Sequence, residues 1–123
     1  MIDKNNLYAI VGASSNEEKY GFKVAQDLLS GGYRVALINP KGGEILSQPV
    51  FKSLSLLPRK PDVVIFIVPP AVALETLAEV KALGINKTWF QPGSESAAAL
   101  EFCAQHGIEA VSGACIMIQR HNN

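Results

Sequence analysis

Between Val11 and Gly21 the chain reads VGASSNEEKYG. An apolar run, LYAI, leads into this stretch, and a helical pattern, FKVAQDLL, leaves it. A strand, a polar glycine loop and a helix start are the parts of a phosphate cradle. Backbone N–H groups and hydroxyls point at the anion, and the helix dipole favours negative charge there by about 0.3–1 kcal/mol. Gly12, Ala13, Ser14 and Ser15 would supply the loop, with Lys19, Tyr20 and Gly21 at the helix entry. The spacing is not that of a dinucleotide fingerprint, whose outer glycines stand about five residues apart. Gly12 and Gly21 are nine apart. A structural reading of the same loop has its Ser and Asn residues capping the helix and Gly21 permitting a tight approach. If the loop is the cradle, Gly12→Val is expected to abolish binding without unfolding, since a side chain would block backbone approach.

A second cluster follows the next apolar run. A fold that holds NAD usually places a carboxylate there, on the ribose hydroxyl. This chain has Asn39, Pro40 and Lys41, followed by two glycines. A lysine cannot accept from a hydroxyl, but it pairs with a phosphate, a charge-assisted contact worth about 1.5–3 kcal/mol. Val68, Pro69 and Pro70 make a rigid apolar corner that could pack on an adenine ring; equally, they end a strand and begin a helix. Gln91 and Ser94 could reach a ligand or satisfy backbone groups. Cys115 is the one nucleophile of interest, able to form a mixed disulfide if a thiol lies near it; the alternative is a small buried core residue. Cys103, beside Phe102, reads as core. Glu17 and Glu18 read as solvated, and His106 as a cation at a helix end. No histidine pairs with a carboxylate or nucleophile at a motif spacing, so no catalytic residue is expected.

The elements that must position these groups alternate regularly. Strands are expected over 7–11, 34–38, near 50, and over 62–68, 87–91 and 109–112. The run DVVIFIV is β-branched and continuous, as in a strand buried on both faces. Pro49 suggests that the strand near 50 lies on an edge. Helices are expected after Gly21, from Val72 to Leu83, and over 96–106, with a helical turn over 53–57. Alternating strands and helices predict a single α/β unit over residues 1–123, an open parallel sheet with helices on both faces. By chain number the expected strand order is 3-2-1-4-5-6. In such sheets ligands sit beyond the carboxyl ends of the strands, where the order reverses. That rule gathers the separate loops into one site.

Composition narrows the classes. With 11 basic and 11 acidic side chains the formal charge is zero, which removes the case for general nucleic-acid binding. The N-terminus lacks a signal-peptide core and no run approaches a membrane span, so a cytoplasmic protein is expected. The two cysteines fit no metal spacing. Near-zero charge favours self-association, so a homodimer is possible.

Taken in order, VGAS with KYG, INPKGGEILSQPVF, DVVIFIVPP, TWFQPGSES and GIEAVSGACIMI resemble the small CoA-binding protein family. The pattern is similar to the N-terminal domain of the succinyl-CoA synthetase alpha chain and to its counterpart in ADP-forming acyl-CoA synthetases. It runs from about Leu7 to Ile118. The resemblance implies a CoA-binding Rossmann-like fold in which Gly12, Ala13, Ser14 and Ser15 hold the CoA diphosphate. Lys41 would lie near the nucleotide phosphates, and Lys19 precedes the matched Gly21; one of the two lysines would meet the ribose 3′-phosphate. Val68, Pro69 and Pro70 would match the adenosine loop, Pro92 and Gly93 the turn beside the pantetheine arm, and Cys115 a recurring cysteine. Where many relatives carry Asp-Arg before that cysteine, this chain has Gly113-Ala114. The synthetases' phospho-histidine and nucleotide-grasp domains do not fit in 123 residues. The expectation is stand-alone binding of CoA or an acyl-CoA. The alternatives are a nicotinamide-dependent oxidoreductase and a CoA-binding subunit of a multi-chain synthetase.

Overall fold

The computed structural model describes residues 2–122. Seven strands form one sheet in the order β3-β4-β2-β1-β5-β6-β7. They are β1 (Leu7–Val11), β2 (Arg34–Ile38), β3 (Glu44–Ile45), β4 (Gln48–Phe51), β5 (Val63–Phe66), β6 (Lys87–Phe90) and β7 (Glu109–Val111). All neighbours pair in parallel except β3 with β4. The expected order is therefore present, with β4 as the third expected strand and β3 added outside it.

That addition is a hairpin the sequence concealed. Leu46 and Ser47 carry it, both at positive φ (53° and 60°). A two-residue turn with both central residues left-handed normally takes Asn-Gly or Asp-Gly, so Ile-Leu-Ser-Gln gives no turn signal. Packing of the Leu46 side chain against the core offsets part of the strain. The hairpin also corrects the placing of Pro49, which is not on the sheet edge but opposite Glu44 of β3. Its missing N–H costs no ladder bond, because β4 joins β2 only from Val50 onward.

The helices are α1 (Tyr20–Ser30), α2 (Pro70–Ala82), α3 (Ala97–Gln105) and α4 (Ile116–His121), with a 3₁₀ turn at Leu54–Leu56. Alternation along each strand sends side chains to opposite faces. Tyr8, Ile10, Val63 and Ile65 pack with Phe22, Val24, Ala25 and Leu28 of α1 and Ile116 of α4. Ala9, Val11, Val64 and Phe66 pack with Ala73, Leu77 and Val80 of α2 and Ala99 and Cys103 of α3. Both faces are thus covered, which explains why β5 is buried at every residue. Ser96 caps α3, accepting from the Ala99 N–H at 3.1 Å. Among the described residues no helix is long and apolar enough to cross a membrane.

Sequence reading did not find α4. It has six residues and no side-chain cap, so the local signal is weak and distant contacts fix it. Trp89 Nε1 donates to the Ala114 carbonyl at 3.0 Å. Arg120 Nε donates to Asp27 Oδ2 at 2.7 Å, and Arg120 Nη2 reaches the Asp27 backbone carbonyl at 3.2 Å. The guanidinium also lies 5.6 Å from the Tyr33 ring centroid. Burial pushes the Asp27 carboxyl up, but hydrogen bonds from Arg120 and His121 outweigh it, and the net shift is downward. A carboxyl lowered on folding adds stability above its unfolded pKa of about 3.9, and that stability is lost as pH falls through the folded value. Asp27→Asn is therefore expected to cost about 1–3 kcal/mol at pH 7. The gap to the wild type should close in acid, as urea titrations at stepped pH would show. A gap independent of pH would mean that the ion pair contributes nothing.

Candidate functional site

The strand order reverses between β1 and β5, and three adjoining hollows lie beyond their carboxyl ends. The largest, about 640 Å³, is lined by Gly12, Ala13, Ser14, Ser15, Glu18, Lys19, Tyr20, Gly21, Asn39, Lys41, the β3 entry and Ile67. A second, about 280 Å³, shares Tyr20 and Ile67 with it and adds Gln91, Pro92, Cys115, Met117 and Ile118. A third, about 210 Å³, shares Gly12 and is walled by Pro40, Lys52, Val68, Val72 and Thr76 among others. Fourteen of the seventeen residues expected at a site thus line one of three adjoining hollows. Pro69, Pro70 and Gly93 line none of them. Pro69 is the N-cap of α2 and Pro70 its first residue, which is their structural reading.

The two glycines hold the frame of the largest hollow. A Cβ on Gly21 would stand 2.0 Å from the Gly12 carbonyl oxygen, so α1 can approach β1 only without a side chain there. A Cβ on Gly12 would stand 2.1 Å from the Ile67 carbonyl oxygen, at a φ of +105°. The expectation that Gly12 matters by leaving room for a ligand is therefore corrected. It leaves room for the end of β5, and a valine there disturbs folding first.

Hydrogen bonding decides which loop donors are free. Gly12 and Ala13 N–H both donate to the Ile38 carbonyl, at 3.1 and 3.2 Å. Ser14 Oγ accepts from Asn16 N–H, and Asn16 Oδ1 from Glu18 N–H. These are turns within the loop and not helix caps. The N-cap of α1 is Lys19, with no side-chain cap bond and no acidic residue in the first turn. Among the described residues, the N–H groups of Ser14, Ser15, Tyr20 and Gly21 meet no protein acceptor. A cation at an uncapped helix N-terminus opposes the dipole unless an anion joins it. Lys41 faces the same hollow.

Asn39 ties the two loops together. Its Nδ2 donates to the Ala13 carbonyl at 2.7 Å, and its Oδ1 accepts from Lys41 N–H at 2.8 Å. Where a carboxylate would read a ribose, this chain has a clasp. Ser94 plays a similar part, its Oγ accepting from Val68 N–H at 3.0 Å. Gln91 is buried and spans to α4: Oε1 accepts from Ile116 N–H at 2.7 Å, and Nε2 lies 3.4 Å from Cys115 Sγ. Gln91→Leu would leave the Ile116 N–H without its partner, at an expected cost of about 1–3 kcal/mol. Hydrogen exchange would read this as lost protection confined first to α4. Unchanged exchange in α4 would mean that Trp89 and Asp27 suffice to hold it.

Cys115 is half-buried beside the second hollow, whereas Cys103 is buried under α3. Burial pushes the Cys103 thiol up, and the Thr88 contact offsets only part of this, so it is poorly nucleophilic. His106 closes α3 against Phe102, away from the three hollows. Among the described residues no cluster of three or more His, Cys, Asp or Glu could hold a metal. Sequence reading missed Ile67, Met117 and Ile118 in the second hollow and Lys52, Val72 and Thr76 in the third. Of these only the apolar IMI run carried a signal, and nothing local said where it would dock.

A sequence profile of the CoA binding domain family matches residues 6–121. The chain is 27% identical over 120 residues to Acetate--CoA ligase [ADP-forming] I of Archaeoglobus fulgidus, covering 89% of this chain and 18% of that one. It is 30% identical over 84 residues to Acetate--CoA ligase [ADP-forming] I subunit alpha of Pyrococcus furiosus, covering 63% and 18%. The chain spans between 17% and 26% of the length of the curated relatives it matches. Among solved structures, a conserved hypothetical protein from Pyrococcus furiosus superposes with TM-score 0.89 at 41% identity, covering 93% of this chain and 98% of that one. A hypothetical protein from Pyrococcus horikoshii OT3 gives 0.89 at 30% identity, covering 94% and 81%.

Proposed function

The chain belongs to the CoA binding domain family, and from that premise we propose that it binds coenzyme A at the reversal point between β1 and β5, as a stand-alone binder without catalytic machinery of its own. The observation that carries the reading is the uncapped N-terminus of α1. Free N–H groups of Ser14, Ser15, Tyr20 and Gly21 belong to residues that line one hollow together with Lys19 and Lys41. That is an electrostatic match for a diphosphate. The adenosine end would lie in the third hollow, against Pro40 and Val68, with Lys52 on its wall. The pantetheine arm would leave past Tyr20 and Ile67 toward Pro92.

An amide-resolved titration with CoA tests the placement. The signals of Ser14, Ser15, Tyr20 and Gly21 should move, while those of Lys60, Gly84 and Asn86 at the opposite end of the sheet should stay. Shifts confined to the opposite end would overturn it. The nicotinamide alternative is weaker, because Asn39 stands where a carboxylate is needed and its side chain is engaged by both loops. One specific observation keeps the subunit reading in view: the likeness to a ligase subunit alpha that this chain matches over 18% of its length. Ligase activity appearing only on mixing with a partner chain would favour it.

A further inference from the structure

We propose that Asp27, Arg120 and Gly31 form a latch that holds α4 against the pantetheine arm, so that docking of α4 and binding of the arm reinforce each other; this rests on the placement of CoA proposed above. The three are positioning residues. None of them lines a hollow of the site, and Asp27 stands about two turns beyond Tyr20 on α1, roughly 10 Å along the helix. Their route to the ligand is α4, which supplies Met117 and Ile118 to the second hollow.

A helix of six residues does not hold itself together in water. α4 depends on its anchors, and these sit at its two ends. At the first, Ile116 is buried and its N–H donates to Gln91. At the other, among the described residues, every side-chain hydrogen bond from the last turn to the rest of the fold ends on Asp27. The seat there is shaped for a guanidinium. A Cβ on Gly31 would stand 2.7 Å from Arg120 Nη1, so that group lies on the bare backbone of the α1 C-cap. Between the two anchors Ile118 is 59% exposed and borders the second hollow. An arm lying in that hollow would cover it. With α4 undocked, Met117 and Ile118 leave the wall and the arm loses those contacts. The arm therefore binds the docked state better, and by linkage its binding tightens the docking. The other two hollows contain no residue of α4, so the phosphates and the adenosine are indifferent to the latch.

The test is calorimetric titration with CoA and with adenosine 3′-phosphate 5′-diphosphate, which is CoA without its pantetheine arm. The proteins are the wild type, Arg120→Gln and Gly31→Ala. Gly31→Ala keeps every charge, fits the backbone at a φ of −85° and displaces the guanidinium. In both variants the affinity for CoA should fall about fivefold or more, while that for the armless nucleotide stays. In the wild type, CoA should slow hydrogen exchange at the Ile118 and Gln119 N–H groups, which both donate to the Cys115 carbonyl at 3.1 Å, and the armless nucleotide should not. A merely structural ion pair would move neither the ratio of affinities nor the exchange, and that result would overturn the latch. Equal losses for the two ligands would mean that α1 itself is disturbed, and would overturn it as well. Unchanged CoA affinity in both variants, with CoA bound by the wild type, would overturn this inference alone. Absence of CoA binding by the wild type would overturn both this inference and the function it rests on.

Discussion

Gly12→Val is expected to unfold the protein, not merely to empty its site. At a φ of +105° an L side chain is strained wherever it points, at a cost of about 1–3 kcal/mol. Its Cβ would also stand 2.1 Å from the Ile67 carbonyl oxygen and 2.8 Å from Val68 Cγ1. The obstacle is backbone on one side, so no rotamer relieves it. Ile67 N–H donates to the Val11 carbonyl at 2.9 Å, and the clash must open that bond between the two central strands. Overpacking of this kind costs about 1–3 kcal/mol or more. The sum, about 2–6 kcal/mol, is a large part of the roughly 5–15 kcal/mol that holds a typical folded protein. A urea transition should show the midpoint collapsing or no folded baseline at all. Gly21→Val should act similarly from the helix side, where the Gly12 oxygen lies 2.0 Å from the new Cβ. A Gly12 variant with an unchanged midpoint would mean that β1 and β5 part easily at this end.

Lys41→Ala should behave in the opposite way, sparing the fold and weakening the ligand. The side chain is exposed, and the loop is held by Lys41 N–H on Asn39, which the substitution keeps. A charge-assisted phosphate contact is worth about 1.5–3 kcal/mol, so the affinity for CoA should fall roughly tenfold to 150-fold. The comparison with dephospho-CoA locates the contact. If Lys41 meets the ribose 3′-phosphate, the variant loses affinity for CoA and little for dephospho-CoA. If it meets the diphosphate, both fall together. Equal affinities in variant and wild type would remove Lys41 from the site.

These expectations turn on features that differ in how openly the sequence displays them. The alternation of strand and helix and the continuous apolar run of β5 are local patterns, and local patterns survive into the structure. The loops of the site were legible one at a time, and a rule about parallel sheets gathered them. The β3–β4 hairpin was hidden because Leu46 and Ser47 adopt a backbone that such residues rarely enter. The short helix α4 was hidden for another reason. Its position depends on Trp89 and Gln91, 25 residues from their partners, and on Asp27, 93 residues from Arg120. Met117 and Ile118 could be placed in a hollow only after those contacts were known. Gly12 shows a subtler limit: its type was readable, but whether it made room for a ligand or for β5 was not.

On the proposed reading, the hollow at the N-terminus of α1 holds CoA through its phosphates. Calorimetric titration with CoA, dephospho-CoA and NAD side by side puts this to the test. Tight binding of CoA, weaker binding of dephospho-CoA and little of NAD is the predicted result. NAD binding in preference to CoA, or no binding by any of the three, would contradict it.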